Sequence, residues 1–350
     1  MMIWQVLPKW MGWLACAFSP LLGGLALAGC GGDADNAKAP VTELRLGYFA
    51  NLTHAQAVLA IHGGDLERAL APTKVDGKLF NAGPSLVEAL LAGQIDIGYV
   101  GPQPALAGFA RSGGEVVVIA GAAANGSVIV ARADSGISGL ADLKDKAIAT
   151  PQLGNTQDLS ARHYVTRQLG QPNADNIKPI ANADQAGMML RRQIDAAWVP
   201  EPWGQRLITE AGARLIAEEK DLWPGGEVTL TVVVTTRKFL QAQPDLVEKV
   251  LRVHRGWTGK LRTDPRGVLP ALEDGLFKLN GKRLPAGVLP RAIERVRFTE
   301  EALTQTFRTY AQWSADLGFA KSVPSLDGLL DVSILRRLQK SPAAPTQSGG

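Results

Sequence analysis

The sequence predicts an α/β protein built from two similar lobes, with the chain crossing twice between them and a closing set of helices. Three observations predict it. Strand-like and helix-like segments alternate from Val41 to about Thr236, the rhythm of βαβ units with parallel sheets under helices. One strand–turn–helix order occurs twice in that stretch. After Thr236 the pattern becomes helical. The chain has 350 residues, enough for two domains with sizeable cores. Its composition, 46% apolar and 20% charged, excludes a disordered chain.

Residues 1–29 have the form of a secretory signal. Lys9 gives a weakly positive start, an apolar run follows, and small residues crowd its end at Leu27-Ala28-Gly29-Cys30. That end resembles the bacterial lipobox, which implies a lipid on Cys30 and cleavage before it. The competing reading is a membrane anchor with a chance cysteine, since about twenty apolar residues can span a bilayer. Residues 30–41 read as a tether. Cleavage removes Cys16 and lipidation blocks Cys30, so no disulfide is expected.

Leu44–Phe49 reads as a strand, followed by helices at 54–62 and 84–92. Ile95–Val100 is a buried strand with a helix near 103–112, and Val116–Ala120 and Val128–Ala131 are apolar β-like runs. Lys146–Thr150, a helix at 156–169, Ile177–Ala181, a helix at 184–192 and Ile194–Val199 continue the alternation. Helices are expected at 244–262, 264–279, 285–295 and 300–318. The echo is specific. Gln94-Ile95-Asp96 leads into a strand ending Val100-Gly101-Pro102, and Gln193-Ile194-Asp195 into one ending Val199-Pro200-Glu201-Pro202. Upstream, Asn51-Leu52-Thr53-His54 and Gly154-Asn155-Thr156-Gln157 each follow a strand. Gly121–Ser127 and Thr229–Thr236 are expected to be the crossings. The lobes then comprise 42–124 plus 232–338 and 125–231, with the final helices covering the first and a disordered tail at 339–350.

In such sheets ligands bind beyond the carboxyl ends of the strands. Helix N-termini there present free N–H groups and partial positive charge, so an anion site needs no lysine or arginine. Short polar side chains stand at these turns: Asn51, Thr53, Ser85, Asn125 and Ser127 in the first half, Asn155, Thr156 and Gln157 in the second. Each can hydrogen-bond an oxyanion. Thr53 and Ser85 also suit a helix cap, and Asn125-Gly126 and Gly154-Asn155 suit any turn. His54 is either a donor to the anion or a surface histidine. Trp198 and Trp203 flank Pro200-Glu201-Pro202, and one of them walls the cleft unless both pack in the core. Glu201 either binds an amine on the ligand or forms a salt bridge away from it; the cost of desolvating a lone carboxylate favours the salt bridge.

Other chemistries find no support. The four histidines lack metal-ligand spacing, Gly275–Arg283 fails as a phosphate loop, and no Gly-x-Ser-x-Gly elbow occurs. A formal charge of +4 does not mark a nucleic-acid binder. Residues 231–350 hold 19 basic and 11 acidic side chains, which reads as solvated helix faces rather than a basic docking face.

Leu46-Gly47-Tyr48-Phe49 with Asn51-Leu52-Thr53-His54-Ala55 resembles the opening of lipid-anchored ABC-transporter substrate-binding proteins of the aliphatic sulfonate, taurine, nitrate and bicarbonate group. Gly98-Tyr99-Val100-Gly101-Pro102, Trp198-Val199-Pro200-Glu201-Pro202-Trp203 and Asp221-Leu222-Trp223-Pro224-Gly225-Gly226 are similar to later turns of that group. The resemblance covers about residues 42–320. It implies a type II periplasmic-binding-protein fold with no cofactor and no catalytic residue, on the periplasmic side of the envelope. Its implied partners are a small oxyanion, an ABC permease with its ATPase, and the membrane through Cys30; a monomer is expected. The implied ligand contacts are Asn51, Thr53, His54, Ser85, Gly101, Pro102, Ser127, Asn155, Thr156 and Trp198. The nitrate and bicarbonate branches are expected to use charged or metal-assisted contacts, and few basic residues stand in these turns, so an organic sulfonate ranks first; phosphonates and sulfate esters present nearly the same oxygens. The rival classes are a binder or synthase for a pyrimidine precursor of thiamine, and a ligand sensor.

Overall fold

In the computed structural model, residues 41–340 are described. The signal segment, Cys30 and residues 341–350 lie outside the described residues.

Among the described residues eleven strands build two sheets: β1 (Glu43–Tyr48), β2 (Lys74–Leu79), β3 (Ile97–Val100), β4 (Val116–Asn125), β5 (Ser127–Ala131), β6 (Ile148–Thr150), β7 (Ile177–Pro179), β8 (Ala196–Pro200), β9 (Arg214–Glu218), β10 (Thr229–Thr236) and β11 (Val296–Phe298). The first sheet has the order β11-β4-β10-β3-β1-β2 and the second β7-β6-β8-β5-β9. The echo in the sequence is an echo in space. In the first sheet β1 lies between β2 and β3 and pairs in parallel with both, and in the second β6 lies in the same way between β7 and β8. In each, a strand arriving from the other sheet runs antiparallel between the third strand and the fourth: β10 between β3 and β4, β5 between β8 and β9.

The crossings follow from this exchange, and both differ from expectation. Gly121–Asn125 belongs to β4, and the chain changes sheet at Asn125 and Gly126, with φ of 62° and 79°. Asn tolerates this left-handed region and Gly favours it. Thr229–Thr236 is no crossing. It is β10, buried through seven of its eight residues in the middle of the first sheet, as a run of Val and Thr suits. Residues 219–228 make the second crossing, through short 3₁₀ turns at Glu219–Leu222 and Pro224–Gly226. The boundary expected at residue 231 therefore falls inside β10, a strand of the first sheet.

The helix Pro244–Thr263 buries Leu246, Val247, Val250, Leu251 and Leu261 at helical spacing. They join Leu272, Leu276 and the first-lobe strands in one core. The expected helix at 264–279 begins only at Leu269, and 285–295 is a five-residue helix, Val288–Ala292, with a 3₁₀ turn. The helix Thr304–Asp316 covers the first lobe through Phe307 and Tyr310 but also reaches the second, where Trp313 stacks on His163 at 4.1 Å. Chain order continues past residue 339: the helix Ser333–Lys340 docks Ile334, Leu335 and Leu338 into the first core.

Candidate functional site

The carboxyl ends of the parallel strands of both lobes converge on a cavity of about 20 Å³. The first lobe lines it with Phe49, Asn51, Thr53 and His54 after β1, Asn81 after β2 and Gly101 after β3. The second contributes Asn155, Thr156 and Gln157 after β6, Asn182 after β7 and Pro200 at the end of β8, and Leu230 and Thr231 of β10 close it. The helices Pro102–Arg111, Thr156–His163 and Asn182–Leu190 begin at this lining, as does the turn Leu52–His54 that leads into Ala55–His62. Their first-turn amides and dipoles bring positive potential from both lobes without any charged side chain in the lining.

Asn51 and Asn155 stand at N-cap positions, yet neither side chain bonds a helix N–H. Asn51 Oδ1 instead accepts from Trp203 Nε1 at 2.6 Å, a bond between the lobes. Asn155 Nδ2 donates to Gln157 Oε1 at 3.2 Å. Thr156 Oγ1 is buried with no hydrogen-bond partner among the described residues, and a Cβ on Gly101 would land on it. Gly101 therefore lets the lobes meet. Beneath the loop, the fully buried Asp158 accepts from Thr150 Oγ1, Gly154 N–H and Arg162 Nε at 2.8–2.9 Å, fixing the segment that presents Asn155 and Thr156.

His54 is buried, stacks on Phe49 at 4.3 Å and accepts the Phe49 N–H on Nδ1. Burial lowers its pKa to about 3, so the ring is neutral and carries its proton on Nε2. It is not a surface histidine. Glu201 is buried outside the cavity, where its Oε1 accepts from Arg295 Nη1 at 2.8 Å and its Oε2 from the Gln205 N–H at 2.9 Å. Burial raises its pKa, and Gln205 and Arg295 pull it back.

Of the ten expected contacts, Asn51, Thr53, His54, Gly101, Asn155 and Thr156 meet at the cavity. Four do not line it. Ser85 donates to Ala82 O as a local helix-start bond. Pro102 is the first residue of its helix and has no N–H to give. Ser127 is buried on β5 opposite Pro200, with its Oγ unpartnered among the described residues. Trp198 faces the second-lobe core and donates to Glu219 at 2.9 Å. Trp203 also packs in a second-lobe core and does not line the cavity, but it is the tryptophan that bonds across to Asn51. Asn81 and Asn182 escaped notice in the sequence. Each follows a second strand of its lobe, and the echo would have paired them had β2 been legible.

Residues 37–256 match the family model of the NMT1-like family. Over 184 residues the chain is 30% identical to the putative aliphatic sulfonates-binding protein of Escherichia coli (strain K12), covering 51% of this chain and 56% of that protein. Over 177 residues it is 30% identical to the taurine-binding periplasmic protein of the same organism, covering 50% and 53%. The chain spans about half the length of the curated relatives it matches. Among solved structures, the alkanesulfonate-binding protein SsuA from Xanthomonas axonopodis pv. citri bound to MOPS superposes with a TM-score of 0.66 at 25% identity, covering 84% of this chain and 99% of that one. The periplasmic nitrate-binding protein NrtA from Synechocystis PCC 6803 gives 0.72 at 13% identity over 87% and 90%, a likeness of fold alone.

Proposed function

The chain belongs to the NMT1-like family, and from that premise we propose that it is the substrate-binding component of an ABC importer that captures a small oxyanion, an organic sulfonate before others. One observation carries the reading. Strand ends of both lobes wall one small cavity with uncharged donors and helix N-termini, and among the described residues no carboxylate, lysine or cysteine lines it. A sulfonate oxygen suits such donors. The names of the relatives, aliphatic sulfonates-binding and taurine-binding periplasmic, point the same way.

The 20 Å³ cavity holds about one water, so a sulfonate enters when the lobes part. Contacts from both lobes are gained together on closure, and the ligand thereby favours the closed form that a permease recognises. In this reading the protein works as a monomer on the periplasmic side, held to the membrane by lipid on Cys30.

The test is a thermal-shift and calorimetry panel of taurine, alkane- and arylsulfonates, sulfate esters, phosphonates, nitrate, bicarbonate and a formylaminopyrimidine. A ligand at 100 times its Kd stabilises the fold by about 2.7 kcal/mol, a Tm rise of about 4 °C at this length. Thr156→Ala removes a hydroxyl from the cavity and should weaken the sulfonate that binds about tenfold, the worth of one charge-assisted bond. A shift with the pyrimidine alone, or no shift with any sulfonate, overturns the reading.

A further inference from the structure

We infer that the helix Thr304–Asp316 clamps the second lobe shut before a ligand arrives, with Tyr310 and Trp313 as positioning residues that act on the cavity through the helix Thr156–His163. The inference rests on the two-lobed binding reading and concerns how that site is gated, whatever its ligand.

The clamping helix belongs to the first lobe by its packing: Phe307 and Tyr310 share an apolar cluster with Leu86, Leu106 and Val116. The same cluster takes in Leu159 of the second-lobe helix. Three contacts then follow in register along the two helices. Tyr310 meets Ser160, their hydroxyl oxygens 3.0 Å apart. One turn on, Trp313 stacks on His163, with ring centroids 4.1 Å apart and planes 13° from parallel. A further turn on, Arg167 Nη2 donates to the Asp316 carbonyl at 2.7 Å, from the π-helical turn Tyr164–Gln168 that continues the second-lobe helix. Positions 310, 313 and 316 share one helix face, as do 160, 163 and 167.

The innermost contact is costly to break. Glu219 of the second crossing is buried, and its partners are neutral donors. Ser160 Oγ and Tyr310 Oη donate to its Oε1 at 2.6 and 3.3 Å, and Trp198 Nε1 donates to its Oε2 at 2.9 Å. Ser160 and Trp198 belong to the second lobe and Tyr310 to the first. Parting the helices here takes one donor from a buried carboxyl group and uncovers Trp223, which packs on Tyr310 and Trp313 at 5.2 and 5.1 Å.

None of these side chains lines the cavity, so the contacts do not depend on a ligand. Thr156 does line it, one turn before Ser160 on the same helix. Holding Ser160 and His163 therefore sets where Thr156 and its helix N-terminus stand against Gly101 of the first lobe. Interactions that favour the closed form without touching the ligand shift the empty protein toward closure. They slow entry, which needs the open form, and they slow release as well, so residence lengthens more than affinity rises.

The experiment compares the full chain with Tyr310→Phe and with the double variant His163→Ala, Arg167→Ala. Tyr310→Phe keeps the ring in its cluster and removes only the hydroxyl. The double variant trims one half-buried and one exposed side chain, so both proteins should fold. Small-angle scattering should give the empty wild-type protein the radius it has when saturated with butanesulfonate, and both empty variants a larger one. In stopped-flow mixing with butanesulfonate, association and dissociation should both be faster in the variants, each by about fivefold to tenfold, while Kd changes less than either rate. Equal radii in the three empty proteins with unchanged rates would show that the helices stay together as the lobes part, and would overturn the clamp. Faster dissociation alone overturns it too, because the residues would then support only the bound ligand. If butanesulfonate binds none of the three, the sulfonate reading falls, and the radii of the empty proteins still decide the clamp.

Discussion

The bond from Trp203 Nε1 to Asn51 Oδ1 decides what Asn51 can offer a ligand. Only the amide oxygen can accept an indole N–H, so the two Nδ2 protons remain for an acceptor. Asn51 is thereby oriented as a donor, in keeping with an anion and against a cation. His54 is held to the same polarity: its Nδ1 is taken by the Phe49 N–H, and burial keeps the ring neutral. Trp203→Phe keeps the ring against its neighbours and deletes the donor. Affinity for the sulfonate that binds should fall about fivefold to tenfold, the worth of one net hydrogen bond, while the urea midpoint moves little. An unchanged Kd measured by calorimetry would detach this bond from binding and leave it a closure contact only.

Gly101 shows how one element's start sets the approach of another. It precedes the helix Pro102–Arg111 with φ of −69°, a conformation alanine adopts freely. The obstacle is Thr156 at the start of the second-lobe helix, against which a Cβ would fall. Gly101→Ala should therefore hold the helix starts apart, weaken ligand binding more than tenfold and enlarge the radius of gyration of the ligand-saturated protein in small-angle scattering. Equal scattering and equal Kd would mean that the helices shift to absorb a methyl. Most elements that carry such residues were legible in the sequence because they are buried on a regular period: β3 on both faces, and the helix Pro244–Thr263 on one. The edge strands were not. β2 reads Lys-Val-Asp-Gly-Lys-Leu with little burial, and β9 is half-exposed, so neither shows the alternation by which strands are recognised. Loss of β2 hid Asn81. Thr229–Thr236 was legible as β but placed as a connector, because a strand inserted from the other lobe has no helix-linked neighbour in sequence. Trp198 and Trp203 look alike in the sequence, but Trp198 lies within β8 among the second-lobe core side chains, whereas Trp203 opens the next helix and reaches Asn51 of the first lobe.

At the scale of the whole molecule, stability depends on groups buried in one protonation state. His54 and His254 are buried with pKa values lowered by desolvation to about 3 and about 4. His254 stays neutral between Tyr99 Oη, which donates to Nδ1, and the Gly121 carbonyl, which accepts from Nε2, both at 2.9 Å. Below the ordinary histidine pKa of 6.5 the unfolded chain takes up protons that the folded chain refuses, so stability is full above that value and falls as pH drops toward 4. The two rings together should cost about 2.7 kcal/mol between pH 7.5 and 5.5 in urea unfolding, and His254→Gln should remove about half of that slope. The raised Glu201 carboxyl acts in the opposite sense, since its burial is relieved by a proton as pH falls. Glu201 also ties the lobes together: its carboxylate, just past the end of β8, meets Arg295, which leads into β11 of the first sheet. Removing one partner of a buried pair leaves the other charge uncompensated, so Arg295→Met should cost about 3–5 kcal/mol near neutral pH. The loss should shrink as pH falls and Glu201 takes up a proton, and Glu201→Gln added to Arg295→Met should recover much of it at pH 7.5. A small, pH-independent loss in Arg295→Met would show that Gln205 alone satisfies the Glu201 carboxylate, and the bridge would then hold no share in keeping the lobes closed.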